Sequence, residues 1–381
     1  MKAYNETWIK NAAIQAQAEN WQQQGLLAEA DLQKIKTALP DESYQPIVWI
    51  KIGLFIFTNI AFLFGSAFMG LGGFYEIWGV WAFINAAVAI FVLELFIKNR
   101  KLRHSGVDNA LLYIGLGAVA GCFFSIFETS PNAVAWCMLP VLAVAVYRYA
   151  DVVAALALLI TFFYVLSTIL FESTIGKMLA PFVFMAVSGL IYALVRRKDQ
   201  QFKFLYWANC CWVLEVAALI LLYVSGNYAV VRAGSEALLG SQGEIQFAPL
   251  FWVFTFVIPL VYVWFSVRQK DRKLLIIGLL CLVSAVITFR TYHAIVPTEI
   301  ALLLGGLFLL VSAVLLIPTP TRHGGSNCKA WCCRSLRSKP SSKPPTSNWA
   351  VVTLAVAVRA KSTNERKKSL PLPTSLSTHK K

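Results

Sequence analysis

Charged side chains are scarce in this chain. Only 14% of its 381 residues are Asp, Glu, Lys or Arg, whereas soluble domains contain about 25%. Hydrophobic residues make up 58% of the chain, and 12 residues are tryptophan. This composition excludes an ordinary soluble globular protein and is typical of an integral membrane protein.

Sequence signatures of catalysis and of cofactor binding are also missing. The chain contains no glycine-rich phosphate loop, no histidine-rich metal motif and no serine nucleophile elbow. Of its 8 cysteines, those outside the apolar runs lie near His323 in a spacing that matches no zinc pattern. We therefore expect no enzymatic activity, no cofactor and no metal site.

Long apolar runs dominate what is present. A helix needs about 20 mostly apolar residues to cross the ~30 Å hydrocarbon core, and backbone in lipid must satisfy its own hydrogen bonds. The sequence therefore predicts an all-α, polytopic membrane helix bundle of about ten transmembrane helices. We place them at residues 52–73, 77–97, 108–127, 133–147, 152–170, 178–195, 205–225, 248–267, 274–290 and 299–317. The fourth is short and holds Pro140, which predicts a tilted, kinked or partly re-entrant segment.

Positive charge alternates from one loop to the next. Thirteen cations follow spans two, four, six and eight, whereas the opposite loops hold only Lys177, Arg232 and Arg290. Because cytoplasmic loops carry the excess of Lys and Arg, we expect both termini in the cytoplasm and the 226–247 loop outside a bacterial inner membrane. The cations behind the net charge of +15 lie in the loops and in the last 60 residues, so the lipid bilayer is the expected partner and nucleic acid is not.

Residues 1–46 are predicted to form a cytoplasmic helical hairpin. Its first helix runs over about residues 4–24 and ends at a glycine. Its second runs over about residues 29–39, where Leu32, Ile35 and Leu39 share one helical face. Two interpretations stay open, namely a hairpin packed on the membrane-spanning region and a module that binds a protein partner.

Several short segments resemble one bacterial protein class. Trp21–Leu27 reads Trp-Gln-Gln-Gln-Gly-Leu-Leu and is followed by Glu29, Leu32 and Ile35. This pattern resembles the opening helices of Bacteroidetes-type polytopic membrane proteins of unknown function. Similar patches are Ser105–Tyr113, Ser225–Tyr228 and Phe289–His293. The resemblance covers residues 1 to about 320 and implies a short cytoplasmic helical region before many spans, but no activity.

Glu215 is the sharpest candidate for a functional side chain. It lies midway along the predicted span 205–225, where an acidic residue costs roughly 2.5–3.5 kcal/mol on insertion scales. Such a group must be protonated, paired or facing a water-filled cavity. It is either a proton or cation site or a protonated glutamate that hydrogen-bonds across the bundle.

Three weaker candidates lie near the predicted cytoplasmic side. Glu94 lies near the cytoplasmic end of span two and is expected to pair with the cationic loop Lys98–Arg103. Asp108 and Asn109 open span three, where an acidic group caps a helix N-terminus. A cytoplasmic substrate gate is the alternative for these two.

A second group of weaker candidates lies on the predicted outer side. Its members are Arg232, Arg290, Tyr292, His293 and Glu299. Such a set could hold an anionic head group, as a lipid or glycan enzyme requires. It could equally anchor the helices at the interface with one Arg–Glu pair.

Uncharged polar residues also occur inside the spans. Asn59 and Asn85 lie in spans one and two, and glycines are scattered through spans one, three and ten. Interhelical hydrogen bonds and close helix packing explain both features without a ligand.

Residues 321–381 differ from the rest of the chain. They are rich in Ser, Lys, Pro and Arg and are predicted to form a disordered basic tail. Codons compatible with Ser347–Lys361, read in a second frame, spell a glycine-rich sequence of the kind that ends many bacterial membrane proteins, so a frameshift is one explanation. A genuine tail that binds anionic lipid at about 1 kcal/mol per cation is the other.

Three function classes stay open. An accessory or scaffold protein would recruit a partner through the hairpin, a secondary transporter of a small solute or ion would use Glu215, and a lipid or glycan enzyme would use the outer cluster. A cavity that reaches Glu215 favours transport, a packed bundle favours the scaffold, and a lateral groove at Arg232 and Arg290 favours the enzyme. The enzyme ranks last because no catalytic constellation is visible.

Overall fold

The computed structural model describes residues 2–71, 73, 77–127, 130–199, 202–240, 245, 247–292 and 306. This part of the chain forms twelve α-helices and contains no β-strand, which confirms the all-α prediction. Residues 6–41 form one compact unit, and residues 2–5 belong with the long helices that follow residue 42.

The smaller unit is a helical hairpin. Its helices are α1 (Glu6–Gln23) and α2 (Glu29–Ala38), so α1 begins two residues later than expected. Ala18, Leu32 and Ile35 form the buried apolar centre between them. An ion pair of 2.7 Å between Lys36 Nζ and Glu19 Oε1 also joins the two helices.

Nine helices of the described chain are long and apolar enough to cross a membrane. They are α3 (Val48–Gly70), α4 (Trp78–Arg100), α5 (Val107–Ile126), α6 (Pro131–Tyr149), α7 (Val152–Phe171), α8 (Thr174–Asp199), α9 (Ala208–Gly226), α11 (Ala248–Gln269) and α12 (Arg272–Tyr292). A 3₁₀-helix, Phe202–Trp207, leads into α9. The tenth predicted span, 299–317, lies outside the described residues except for Gly306. The chain is therefore a multi-pass membrane protein.

Two segments differ from the sequence expectations. The fourth span is one continuous helix of 19 residues, Pro131–Tyr149, with Pro140 inside it. This helix is longer than the expected 133–147, because it gains residues at both ends, and its continuity contradicts only the re-entrant alternative among the tilted, kinked and re-entrant ones. The loop expected at 226–247 contains a helix, α10 (Tyr228–Leu239), which Asn227 caps by accepting a hydrogen bond of 2.9 Å from Ala229 N–H.

Consecutive long helices pack as antiparallel pairs, notably α4 with α5, α8 with α9 and α11 with α12. Basic residues lie in or directly beside the connections from α4 to α5, α6 to α7, α8 to α9 and α11 to α12. We call the end of the bundle that carries these connections the basic end, and the end that carries α10 the opposite end.

The turns at the basic end are tight. Lys101, Ala150 and Lys270 follow α4, α6 and α11 in the left-handed conformation, with φ of 51°, 49° and 56°. The strand-like segment at Tyr44 joins the first of these turns, because Tyr44 N–H donates to the Lys101 carbonyl at 3.1 Å. Gly106 completes this turn with φ 101°, and a Cβ there would lie 2.2 Å from the Lys51 carbonyl oxygen of α3. Only glycine fits this approach.

Candidate functional site

Glu215 lies on α9 and is buried, with 4% of its surface exposed. Its Oε1 accepts a hydrogen bond from Arg196 Nη1 at 2.7 Å, and its Oε2 lies 3.6 Å from Lys273 Nζ. The carboxylate is therefore paired with two cations. Of the protonated, paired and cavity-facing alternatives, this is the paired one. The two cations offset the cost of placing the carboxylate inside the protein.

The partners of Glu215 come from the basic end. Arg196 lies in the last turns of α8 and also donates to Asp271 Oδ2 at 3.1 Å, directly before α12. Gln269, the last residue of α11, accepts a further hydrogen bond from Arg196. Glu215 is thus buried in contact with residues from the end of α8 and the first turn of α12.

Asp108, in the first turn of α5, is a second buried carboxylate, with 1% of its surface exposed. Its Oδ1 accepts from Ser105 N–H at 2.8 Å, and its Oδ2 accepts from His104 N–H at 2.7 Å. It thus binds the backbone donors that precede the helix, which is the reciprocal half of a capping arrangement. These hydrogen bonds hold the turn before α5, and the predicted capping of the helix itself is not among them. Neighbouring Asn109 is half-buried and hydrogen-bonds to His104.

The N-terminal residues supply a partner to Asp108 that the sequence did not indicate. The Tyr4 hydroxyl donates to Asp108 Oδ2 at 2.7 Å, and the Tyr4 side chain is buried. Ala3 N–H donates to the Arg148 carbonyl at 2.9 Å, and Lys2 Nζ lies 4.3 Å from the centre of the Trp207 ring. Residues 2–4 are therefore anchored on the basic end. We call them the N-terminal anchor.

Asp151 is a third buried carboxylate, with 3% of its surface exposed. It caps α7, because its Oδ1 accepts from Ala154 N–H at 2.8 Å. Its Oδ2 accepts from the Tyr113 hydroxyl of α5 at 3.0 Å. Cys210 of α9 donates its thiol to the Asp151 carbonyl at 3.3 Å. One residue thus joins α5, α7 and α9.

Glu94, the half-buried acid of α4, is paired as expected but with a different cation. Arg148 Nε donates to Glu94 Oε1 at 2.7 Å, and the Tyr149 hydroxyl donates to the same oxygen. Both partners lie at the end of α6. The predicted pairing with the loop Lys98–Arg103 is wrong, because a helix that is distant in sequence packs closer to Glu94 than its own flanking loop does.

Two groups outside the spans have shifted pKa values. Burial raises the pKa of the Tyr4 phenol well above 10, and the adjacent Asp108 carboxylate raises it further. Burial lowers the pKa of the His104 imidazole, although Asp108 and Asp151 oppose this effect. Both groups are therefore neutral near pH 7. The Tyr4 phenol therefore keeps the proton that it donates to Asp108.

The outer candidates are brought together only in part. Arg232 of α10 lies 4.9 Å from the centre of the Tyr292 ring, and its Nη1 donates to the Tyr228 hydroxyl at 3.3 Å. Tyr292 in turn packs edge-on against Tyr228. Arg290 is exposed in the last turn of α12. His293 and Glu299 lie outside the described residues, so the expected Arg–Glu pair lies outside them as well.

Sequence reasoning missed Asp151, Tyr4 and the structural role of Arg196. An acidic residue directly before an apolar run is an N-cap signal, so Asp151 was recognisable. Arg196 counted only as a loop charge. Tyr4 offers no local signal, because its contact with Asp108 spans 104 residues of sequence.

The buried acids of the candidate site all have partners within the protein. Each of the buried acids Asp108, Asp151 and Glu215 accepts hydrogen bonds or ion pairs from the protein itself. In the described parts of the chain, no group of three or more His, Cys, Asp and Glu side chains is arranged to hold a metal ion. These networks therefore join helices rather than present a free reactive group.

Comparison with known proteins adds no further information on function, because no protein family, curated protein or solved structure matches this chain.

Proposed function

We propose that this multi-pass protein is an accessory or scaffold protein of a bacterial inner membrane, and that its N-terminal hairpin recruits a protein partner. The observation that carries the proposal is the pairing of Glu215 with Arg196 and Lys273. A transporter that loads protons or cations on Glu215 would have to break this pair, whereas a scaffold uses it to hold α8, α9 and α12 together.

Orientation is part of the proposal. The basic end carries the excess of Lys and Arg, which is the property of cytoplasmic loops. The N-terminal anchor is bound at this same end through Tyr4 and Asp108. These features support a cytoplasmic N-terminus and a hairpin available to cytoplasmic proteins. A cytoplasmic helical hairpin before many spans is also what the resemblance to the Bacteroidetes-type class implies.

Partner capture tests the proposal. Leu32 is buried in the hairpin and Gln33 is exposed beside it, so Leu32→Asp should disrupt the hairpin and Gln33→Asp should not. In cells expressing each variant, cross-linking and mass spectrometry should recover the same partners with the wild type and Gln33→Asp. The proposal expects Leu32→Asp to lose them while its amount in the membrane is unchanged.

Transport is the outcome that would overturn the proposal. Purified protein in liposomes is exposed to an imposed pH gradient or membrane potential, and proton and alkali-cation flux is recorded. The scaffold predicts flux no greater than that of empty liposomes. A flux that Glu215→Gln abolishes, without loss of folded protein, would make the transporter the leading function.

A further inference from the structure

A cavity of about 420 Å³ lies among α3, α4 and α5, away from the carboxylate networks. Its volume is within the usual range for small-molecule sites, roughly 300–1,000 Å³. Its walls are mainly apolar, and none of its lining side chains is charged. Gly117 and Gly121 of α5 line it, and a Cβ at Gly117 would meet no atom within 4 Å. The small residues therefore create space that no other side chain fills.

The cavity faces the surface that lipid covers. Ile60, Leu63 and Trp78 line it and are also 48%, 68% and 54% exposed. No residue in the most apolar stretch of α3 is buried, so this helix forms a thin outer wall. A molecule dissolved in the bilayer can thus enter from the side without crossing water.

Some polar atoms of the side chains that line the cavity have no hydrogen-bond partner in the described structure. The indole N–H of Trp81 is buried and has no hydrogen-bond partner in the described structure. The amides of Asn59 and Asn85 each donate to a carbonyl one turn back in their own helix, Phe55 and Trp81, at 2.8 Å. Interhelical hydrogen bonds, expected from the sequence, are therefore not what these side chains form. Their amide oxygens have no donor among the described residues.

The depth of these groups limits what can satisfy them. Asn85 lies seven residues along α4 from Trp78, which is about 10 Å at the helical rise. An unpaired polar group inside hydrocarbon is costly. A charged head group would stay near the interface and would find no counter-ion among the lining side chains. The occupant must therefore be an uncharged group on an apolar body.

A hydroxyl matches the unpaired amide oxygens of Asn59 and Asn85, because it can donate its proton to one of them. The geometry points to a binding site for an uncharged lipid alcohol of the diacylglycerol type, with its acyl chain against Gly117 and Gly121 and its hydroxyl at the amide oxygen of Asn85. This site is separate from the proposed partner-binding hairpin, and each proposal can fail without the other.

Photolabelling tests the site in the full-length protein. A diacylglycerol with a diazirine in one acyl chain is incorporated into phosphatidylcholine nanodiscs that contain the protein. Labelled peptides are then located by mass spectrometry. Saturable labelling is expected on α3, α4 and α5. Unlabelled diacylglycerol should compete with it, and the same lipid with its hydroxyl acetylated should compete at least about fivefold less well.

Two variants separate the apolar and polar parts of the site. Gly117→Leu should fill the cavity and reduce labelling at least about tenfold, and Gly65→Leu is its matched control, because Gly65 is exposed on α3 and does not line the cavity. Asn85→Leu should reduce diacylglycerol labelling but leave labelling by an acetylated, diazirine-bearing analogue unchanged. Thermal melting shows whether each variant is folded. If Gly117→Leu does not fold, the result for Asn85→Leu decides the test.

Several results would overturn the inference. Equal competition by the acetylated lipid would mean that the hydroxyl is not recognised. Labelling that does not saturate, or that is unchanged in Gly117→Leu or in Asn85→Leu, would mean that the cavity holds only bulk lipid or water.

Discussion

At the scale of single residues, one guanidinium holds four elements together. Arg196 of α8 donates to Glu215 of α9, to Asp271 before α12 and to Gln269 at the end of α11. Its side chain is 25% exposed, whereas that of Glu215 is 6% exposed. Removing the acid therefore leaves two cations that water reaches only in part, which is the costly way to break an ion pair.

Substitution of Glu215 should destabilise the bundle in proportion to the lost pairing. Glu215→Gln keeps one hydrogen bond from Arg196 and should lower the free energy of unfolding by about 1–2 kcal/mol, and Glu215→Ala by about 2–3 kcal/mol. Denaturation in mixed micelles measures both. Glu172→Gln is the control, because Glu172 is exposed at the end of α7. Equal stability of all three proteins would contradict the structural role.

Protonation of His104 should couple stability to pH. Burial lowers its pKa, so its neutral form is favoured in the folded state. Stability is then fully present above the ordinary pKa of about 6.5 and is lost as pH falls through the lower, folded value. The other three histidines lie outside the described residues. His104→Asn, which tolerates the positive φ of 47°, should lose more of its pH dependence between about 6.5 and 5 than Asn109→Ala does.

At the scale of elements, the α4–α5 turn is constrained by contacts with two other segments. The segment at Tyr44, the Lys101 turn and the Gly106 approach to α3 all meet there. Asp108 then binds the backbone of the turn from its far side. This explains how α3, whose apolar stretch has no buried residue, is held to the bundle near the basic end.

Gly106→Ala should therefore be one of the most damaging small substitutions in the chain. Its Cβ would lie 2.2 Å from a backbone oxygen that cannot rotate away, and its φ of 101° is unfavourable for alanine. We expect a loss of at least about 2 kcal/mol or a failure to accumulate in the membrane. Gly117→Ala is the control, and its folded yield should match the wild type. Comparable yields of the two variants would show that the turn relaxes.

The N-terminal anchor, residues 2–4, is fixed to the basic end by the Tyr4 side chain. Tyr4→Phe removes the hydroxyl that donates to Asp108 but keeps the ring, so the free energy of unfolding should fall by about 1–3 kcal/mol, as for a hydrogen bond to a charged group. Limited proteolysis should cut this variant near residues 2–5 faster than the wild type. Unchanged cleavage would contradict the anchor.

At the scale of the whole molecule, short loops force consecutive helices into antiparallel pairs, so charges that alternate in sequence collect at one end of the bundle. The proposed topology then predicts that Glu236→Cys, on exposed α10, reacts with an impermeant maleimide in intact cells. Lys98→Cys, exposed at the end of α4, should react only after lysis. Reaction of Lys98→Cys in intact cells would reverse the orientation.

The sequence alone determined the class of protein and the positions of nine spans. A run of about twenty apolar residues is a local property of the chain, and by itself it is long and apolar enough for a helix to cross the bilayer. It also indicated that Glu94 and Glu215 needed partners. Only the tertiary structure decided that Arg148 and Arg196 are those partners, and that Tyr4 meets Asp108. Contacts between residues many helices apart depend on which helices pack together, and apolar runs of similar length and composition do not encode that choice locally.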